Sequence, residues 1–201
     1  IIGIIFFIPL LYFTLRKAIP PVLIPRLYLL LILGGFQGVL GWYMVKSGLV
    51  DDPNVSQYRL TAHLGMAVFI YSLILWTVFD LSLNYNHAIR SRIKWMSSTL
   101  TLLIFLMILS GGLVAGTRAG IPFPTWPLMG DTFIPPQIYS MNPSWLSAFE
   151  DMATIQFNHR MFAYLLTIFI VIFAIVLLGS NVPRFLKNGT TVLLFVLSLQ
   201  V

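Results

Sequence analysis

The sequence predicts an all-α, polytopic membrane helical bundle. Of its 201 residues, 58% are hydrophobic and only 9% are charged, whereas soluble domains carry about 25% charged residues. The mean hydropathy is +0.91, and long apolar runs alternate with short polar connections. A chain with so little polar surface is expected to be solvated by lipid, where backbone groups must be satisfied within helices.

Six apolar segments are the predicted helices. Proline marks several of their boundaries, as at Pro53 and Pro183. The first and last runs are shorter than the roughly 20 residues that a span needs. The chain also opens in an apolar run without an initiator Met, so we expect it to be a piece of a longer protein. The predicted segments are 1–15, 27–47, 61–83, 97–116, 157–180 and 190–201.

The basic residues predict the orientation. The connections 16–26, 84–96 and 181–189 hold eight of the 12 Lys and Arg residues, whereas five of the 6 acidic residues lie on the opposite side. The positive-inside rule places these three connections in the cytoplasm or the mitochondrial matrix. The net charge of +6 would also suit nucleic-acid binding. No basic stripe is interleaved with exposed aromatic residues, so no nucleic-acid partner is expected.

One predicted connection, 117–156, is long and rich in proline and aromatic residues. It lies on the predicted outer side. Long loops in compact proteins are usually functional lids or caps, although aromatic residues also anchor at the level of lipid headgroups. The aromatic residues that could cover a pocket or lie in the interface are Phe123, Trp126, Phe133, Tyr139 and Trp145.

Two of the three histidines are candidate metal ligands. His63 and His159 each lie near the predicted outer end of a span, at a similar depth. Ionisable residues in spans usually face the bundle interior, and imidazole is the common axial ligand of haem iron. The alternative is a structural hydrogen bond to a neighbouring helix or a headgroup. His87 lies in an inner connection and is expected to be solvated.

Arginines near these histidines could pair with haem propionates. Arg59 precedes His63 by one helical turn, Arg118 ends the fourth span, and Arg160 follows His159 directly. Guanidinium groups bind carboxylates bidentately, but snorkelling to the interface needs no ligand and is the slightly favoured alternative for each arginine. Arg160 is least favoured because it points about 100° away from His159 around the helix. The residues alone leave open whether the two histidines share one haem or each pairs with a histidine outside this chain.

Other classes of site are not indicated. The absence of cysteine excludes disulfides and thiolate sites. No nucleophile triad, phosphate-binding glycine loop or zinc motif occurs. The carboxylate inside a predicted span is Asp80, near the inner end, which argues against a proton-driven transporter.

Four segments carry a resemblance to a known family. GGFQGVLGWYMVKSGL, VSQYRLTAHLG, GGLVAGTRAGIPFPTWPLMGDTFIP and FEDMATIQFNHRM resemble heme A synthases of the mitochondrial and α-proteobacterial branch. The similarity runs through nearly the whole chain. The resemblance implies an eight-helix protein made of two tandem four-helix halves. Residues 1–96 would then belong to the N-terminal, substrate-haem half and residues 97–201 to the C-terminal, haem b half.

The resemblance also implies the chemistry. His159 would be an axial ligand of haem b, and His63 a ligand of the substrate, haem O, with their partner ligands outside this chain. In a pocket at the outer face, Arg59, Arg118 or, least favoured, Arg160 would meet the propionates. The family oxidises a methyl group of haem O to a formyl group, which makes haem A for cytochrome c oxidase. The family's catalytic glutamate lies outside this chain, Glu150 lacks its motif, and the 201 residues alone are expected to be inactive.

The implied setting is a bacterial plasma membrane or a mitochondrial inner membrane, with both histidines near the outer face. Heme O synthase and cytochrome oxidase assembly factors are the expected partners, and homo-oligomer formation stays open. Two alternatives remain at this point. One is a bis-His b-type cytochrome that transfers electrons, and the other is a haem-binding assembly or transport protein.

Overall fold

A computed structural model of the chain describes residues 2–46, 55–82 and 89–200. Within these ranges the regular secondary structure is helical, which confirms the all-α prediction. Four of the described helices are long and apolar enough to cross a membrane. Large apolar side chains such as Trp42 and Trp76 are mostly exposed on them, as expected of a surface that lipid covers. The chain is an integral membrane protein.

The chain divides into two compact units, and the first is Ile1–Asn84. Its helices are α1 (Ile2–Leu15), α2 (Ile24–Lys46) and α3 (Gln57–Ser82). Helix α2 packs against both α1 and α3. At one end of the α2–α3 pair, Arg26 Nη1 donates to Asp80 Oδ2 at 2.6 Å.

The second unit is Tyr85–Val201. Helix α6 packs against both α4 and α7, and its buried face forms the core with α4. The buried residues of this hydrophobic cluster are Ile93, Leu100, Leu166, Ile170, Phe173 and Leu177. The helices of this unit are α4 (Ser91–Thr117), a 3-10 turn (Ser144–Leu146), α5 (Ser147–Glu150), α6 (Met152–Leu178) and α7 (Arg184–Gln200).

The described helices match the predicted runs but start earlier. Helices α2, α3, α4, α6 and α7 each begin about one turn or more before the apolar run. The first turns of α3, α4 and α7 are rich in polar or basic residues, and a helix can extend beyond the apolar layer because its backbone bonds are internal. The predicted long connection is consequently shorter, and it contains the 3-10 turn and α5. The division into family halves at residues 96 and 97 stays a prediction.

Candidate functional site

His63 lies about two turns into α3 and faces α2. A methyl group placed on Gly41 would lie only 3.0 Å from His63 Cε1. That distance is tighter than ordinary van der Waals contact, so the glycine allows the imidazole edge to lie directly against the α2 backbone. Two other glycines on α2, Gly34 and Gly38, have open space where a side chain would project.

Gln37 is the polar partner of His63. Its Nε2 donates to the His63 backbone oxygen at 3.1 Å and lies 3.3 Å from His63 Nε2. A backbone oxygen only accepts, so the amide nitrogen must be the group that faces it. The Gln37 amide nitrogen cannot accept a hydrogen bond. The His63 ring Nε2 therefore accepts the second amide hydrogen of Gln37, and the ring proton of His63 lies on Nδ1.

The contact leaves buried polar atoms without partners. His63 Nδ1, Gln37 Oε1 and Thr61 Oγ1 are all buried and make no hydrogen bond with the described residues. An unpaired buried polar atom costs about 1–3 kcal/mol. These atoms on the α2–α3 pair are therefore not satisfied by groups of the described residues.

Arg59 lies one turn before His63 on the same side of α3. Its guanidinium carbon is 4.4 Å from the centroid of the Tyr43 ring on α2. Stacking of this kind holds the planar group without using its hydrogen-bond donors. The donors of Arg59 thus remain able to meet a carboxylate.

His159 lies about two turns into α6 and faces α4. Its Nδ1 is 2.9 Å from Ser110 Oγ. A methyl group on the adjacent Gly111 would lie 3.5 Å from His159 Cε1, which is ordinary contact. No described residue makes a hydrogen bond to His159 Nε2.

The start of α6 is fixed by a cap. Asp151 Oδ2 accepts from the Thr154 backbone N–H at 2.8 Å and from the Thr154 hydroxyl at 2.6 Å. Thr154 is completely buried, and its hydroxyl oxygen accepts in turn from the Tyr139 backbone N–H at 3.0 Å. An N-cap of this type satisfies the free N–H groups of the first turn. The cap fixes the residue at which α6 begins, and His159 therefore lies about two turns from that end of the helix.

The connection 118–151 folds back onto α6 on both sides of His159. Arg160 donates to Phe123 O at 2.7 Å and to Leu128 O at 3.1 Å. The Trp126 indole N–H donates to Tyr164 Oη at 2.9 Å. Tyr139 Oη donates to Asn158 Oδ1 at 3.1 Å on the other side of the histidine.

The remaining predicted residues have separate positions. Arg118 ends α4 in the left-handed backbone conformation, and its side chain is exposed with no hydrogen bond or ion pair to a described residue. Trp145, Phe133 and Trp126 are all exposed by more than a third of their surface. His87 lies outside the described residues.

A sequence profile of the cytochrome oxidase assembly protein family matches residues 1–201. The chain belongs to the cytochrome oxidase assembly protein family.

Several curated relatives in this family are named heme A synthase. The chain is 44% identical over 211 residues to that of Nitrosospira multiformis, covering 100% of the chain and 58% of the relative. It is 45% identical over 171 residues to that of Parvibaculum lavamentivorans, with 85% and 50% covered. The heme A synthase of Wolbachia pipientis wMel is 38% identical over 176 residues, with 86% and 50% covered.

The chain thus spans about half the length of the curated relatives that it matches. No solved structure matches the chain significantly.

The side chains of this chain that could bind a metal suit haem better than a bare metal ion. Within the described residues no group of three or more His, Asp or Glu side chains could hold a metal ion. Haem iron needs only axial ligands from the protein, and imidazole is the usual one. A polar atom without a described partner also lies beside each histidine: Gln37 Oε1 near His63, and Gln156 Oε1 one turn before His159. The residues present therefore fit the group that the family implies.

Sequence reasoning missed the two residues that hold the histidines, Gln37 and Ser110. Both lie in the glycine-containing segments of α2 and α4, whose small residues are typical of helix-packing surfaces. A polar residue inside a membrane span must find a partner, so their presence among glycines was the available signal. Asp151 could likewise have been identified as an N-cap from its residue type.

Proposed function

We propose that the protein containing this chain is a heme A synthase. It would oxidise a methyl group of haem O to a formyl group and so make haem A for cytochrome c oxidase. Family membership and the names of the relatives support this activity. The observation that carries the proposal is the arrangement of His159, whose Nδ1 is held by Ser110 while Nε2 has no partner among the described residues.

His159 is the proposed axial ligand of haem b. A metal-bound imidazole commonly donates its other N–H to a nearby acceptor, which fixes the tautomer and the ring orientation. Ser110 Oγ is in position to accept from Nδ1–H, and Gly111 allows the ring edge to lie against α4. When bound, haem b would supply one-electron redox chemistry.

His63 is the proposed ligand of haem O. Gly34 and Gly38 of α2 have open space where a side chain would project, which suits a flat ring system near His63. Arg59 is the proposed propionate partner at this site because its donors are not used by the Tyr43 stack. Arg118, exposed at the end of α4, is the proposed propionate partner in the other unit.

The chain's residues bind and orient, and they do not complete the chemistry. Conversion of a methyl to a formyl group removes four electrons and four protons when water supplies the oxygen atom. An external electron acceptor must take these electrons. The family resemblance assigns the catalytic glutamate to a helix that precedes this chain in its relatives, and Glu150 does not replace it.

The proposed setting is the bacterial plasma membrane or the mitochondrial inner membrane, with both histidines near the outer face. The basic connections 16–26, 84–96 and 181–189 support this orientation. Heme O synthase is the proposed supplier of the substrate, and cytochrome oxidase assembly factors are the proposed recipients of the product.

The test uses the full-length protein purified from membranes of a strain that makes haem O. Replacing His159 with Ala should abolish retention of haem b, because the iron loses a protein ligand, and should abolish haem A formation. Replacing His63 with Ala should leave haem b in place but remove bound haem O. Haem extraction with chromatography and the absorbance spectrum of low-spin haem measure both effects, with His87→Ala as the control.

The same measurements separate the alternatives. Haem b without any exchangeable haem O would identify an electron-transfer cytochrome and contradict the proposal. Normal haem content in both histidine variants would show that these side chains are structural. Haem A formation that is unaffected by either variant would exclude both assigned sites.

A further inference from the structure

The contact between Gln37 and His63 bears on how tightly the proposed substrate site holds its ligand. Iron binds the lone pair of a neutral imidazole nitrogen, and the family resemblance makes that imidazole His63. In the described structure, the Gln37 amide nitrogen lies 3.3 Å from His63 Nε2 and shares its hydrogens between this nitrogen and the His63 backbone oxygen. The amide thus occupies Nε2. This nitrogen lies farther from the helix backbone than Nδ1 and is the one that would bind iron.

The other ring nitrogen does not offer a substitute. His63 Nδ1 is buried and has no described partner, and it carries the ring proton when Nε2 accepts. Gln37 Oε1 is also buried without a described partner. A permanent imidazole ligand usually has its Nδ1 hydrogen-bonded to a neighbouring group, so that Nε2 faces the metal. No group in the described part of the α2–α3 pair holds His63 in this way.

We propose that Gln37 is a positioning residue that competes with haem for His63 Nε2 and thereby keeps the substrate site exchangeable. This inference rests on the proposed function of His63 as the ligand of haem O. His63 must give up the amide contact before Nε2 can reach iron, and the amide regains the contact when the haem leaves. Binding at this site is therefore weakened by the stability of the ligand-free contact.

Such weakening suits a site whose ligand enters as substrate and leaves as product. A ligand-free state that is stabilised by its own hydrogen bond lowers the apparent affinity without changing the contacts in the bound state. The Gln37 amide also selects the tautomer whose Nε2 carries no proton. The imidazole is consequently kept in the protonation pattern that iron needs, although its lone pair is occupied.

The experiment measures the dissociation constant of haem O in detergent-solubilised full-length protein that retains haem b. Gln37→Leu and Gln37→Met remove the competing donor while keeping a side chain of similar size. Loss of one hydrogen bond from the ligand-free state should tighten haem O binding about threefold to tenfold. Phe36→Leu, at the neighbouring exposed position of α2, is the matched control and should leave the constant unchanged.

Retained haem b reports that each variant is folded, and two variants at residue 37 guard against a local packing defect in one of them. Unchanged or weakened haem O binding in both folded variants would overturn the role of Gln37. His63→Ala separates this failure from failure of the proposed function. If His63→Ala loses haem O while the Gln37 variants bind normally, only this inference is wrong. If His63→Ala binds haem O normally, the assignment of the site itself is wrong.

Discussion

The α2–α3 pair and the α4–α6 pair present a histidine in the same way but hold it differently. In each pair the histidine lies about two turns into the second helix and against a glycine of the first. Ser110 contacts the Nδ1 of His159, and no described residue makes a hydrogen bond to the Nε2 of that ring. Gln37 contacts the Nε2 of His63, so the Nδ1 of that ring is the unpaired atom.

The presence of a histidine in a span therefore does not by itself determine whether the ring can bind a metal. The nitrogen that a neighbouring polar residue occupies decides whether the ring is ready for a metal or must first be released. With the roles proposed above, the α4–α6 pair would hold His159 as a permanent ligand, and the α2–α3 pair would hold His63 as a ligand that exchanges. Three sets of substitutions test whether the two histidines are held differently.

The largest effect is expected from Ser110→Ala. It removes the group that holds His159 Nδ1, and loss of such a partner typically weakens a metal site by about 10–100-fold. Dissociation of haem b into excess apomyoglobin should therefore be accelerated by about that factor, as followed by absorbance. The expected sign is opposite to that of Gln37→Leu at the other pair. Haem b that dissociates at the wild-type rate would show that Ser110 does not support the ligand.

An intermediate effect is expected from alanine at the two glycines. Gly41→Ala places a methyl group 3.0 Å from His63 Cε1, so the imidazole must shift, whereas Gly111→Ala makes an ordinary contact of 3.5 Å with His159 Cε1. Overpacking costs about 1–3 kcal/mol. Thermal unfolding of the purified protein should therefore begin at a lower temperature in Gly41→Ala and should change little in Gly111→Ala. Equal shifts in both variants would contradict this difference in packing.

The smallest effect is expected from Arg160→Gln, which concerns a feature of the α4–α6 pair alone. Arg160 ties the carbonyl groups of Phe123 and Leu128 to α6. Since one contact is exposed, its loss should cost roughly 1 kcal/mol, which corresponds to about fivefold faster proteolysis within 121–130. Mass spectrometry of the cleavage products measures the rate.

A second variant, Arg160→Lys, should restore only part of the protection because an ammonium group cannot bridge two carbonyl groups in a fixed geometry. Cleavage at the wild-type rate in Arg160→Gln would show that these contacts do not hold the connection.

Much of the fold followed from the sequence because lipid imposes a simple rule on it. A run of about 20 apolar residues must be helical, so α2, α3, α4 and α6 were predictable. Their starts were not, because polar first turns such as that of α3 carry no apolar signal. The start of α6 depends on the Asp151 cap and on Thr154, which also anchors the preceding connection.

The histidines were also predictable, since ionisable residues in spans are rare. Their partners were not. Whether Gln37 meets His63, or Ser110 meets His159, depends on how two helices are rotated against each other. Spans that are apolar on all sides give little indication of that rotation. The predicted roles of Arg59 and Arg118 toward propionates stay predictions, because the structure gives their positions and not their ligands.

The Arg26–Asp80 ion pair has a consequence for the distant end of the same two helices. It joins the beginning of α2 to the end of α3, about three helical turns along α2 from Gln37. A sliding movement of one helix along the other by a single turn would separate both the ion pair and the amide–imidazole contact. The ion pair and the amide–imidazole contact therefore oppose the same sliding movement from two places about three turns apart.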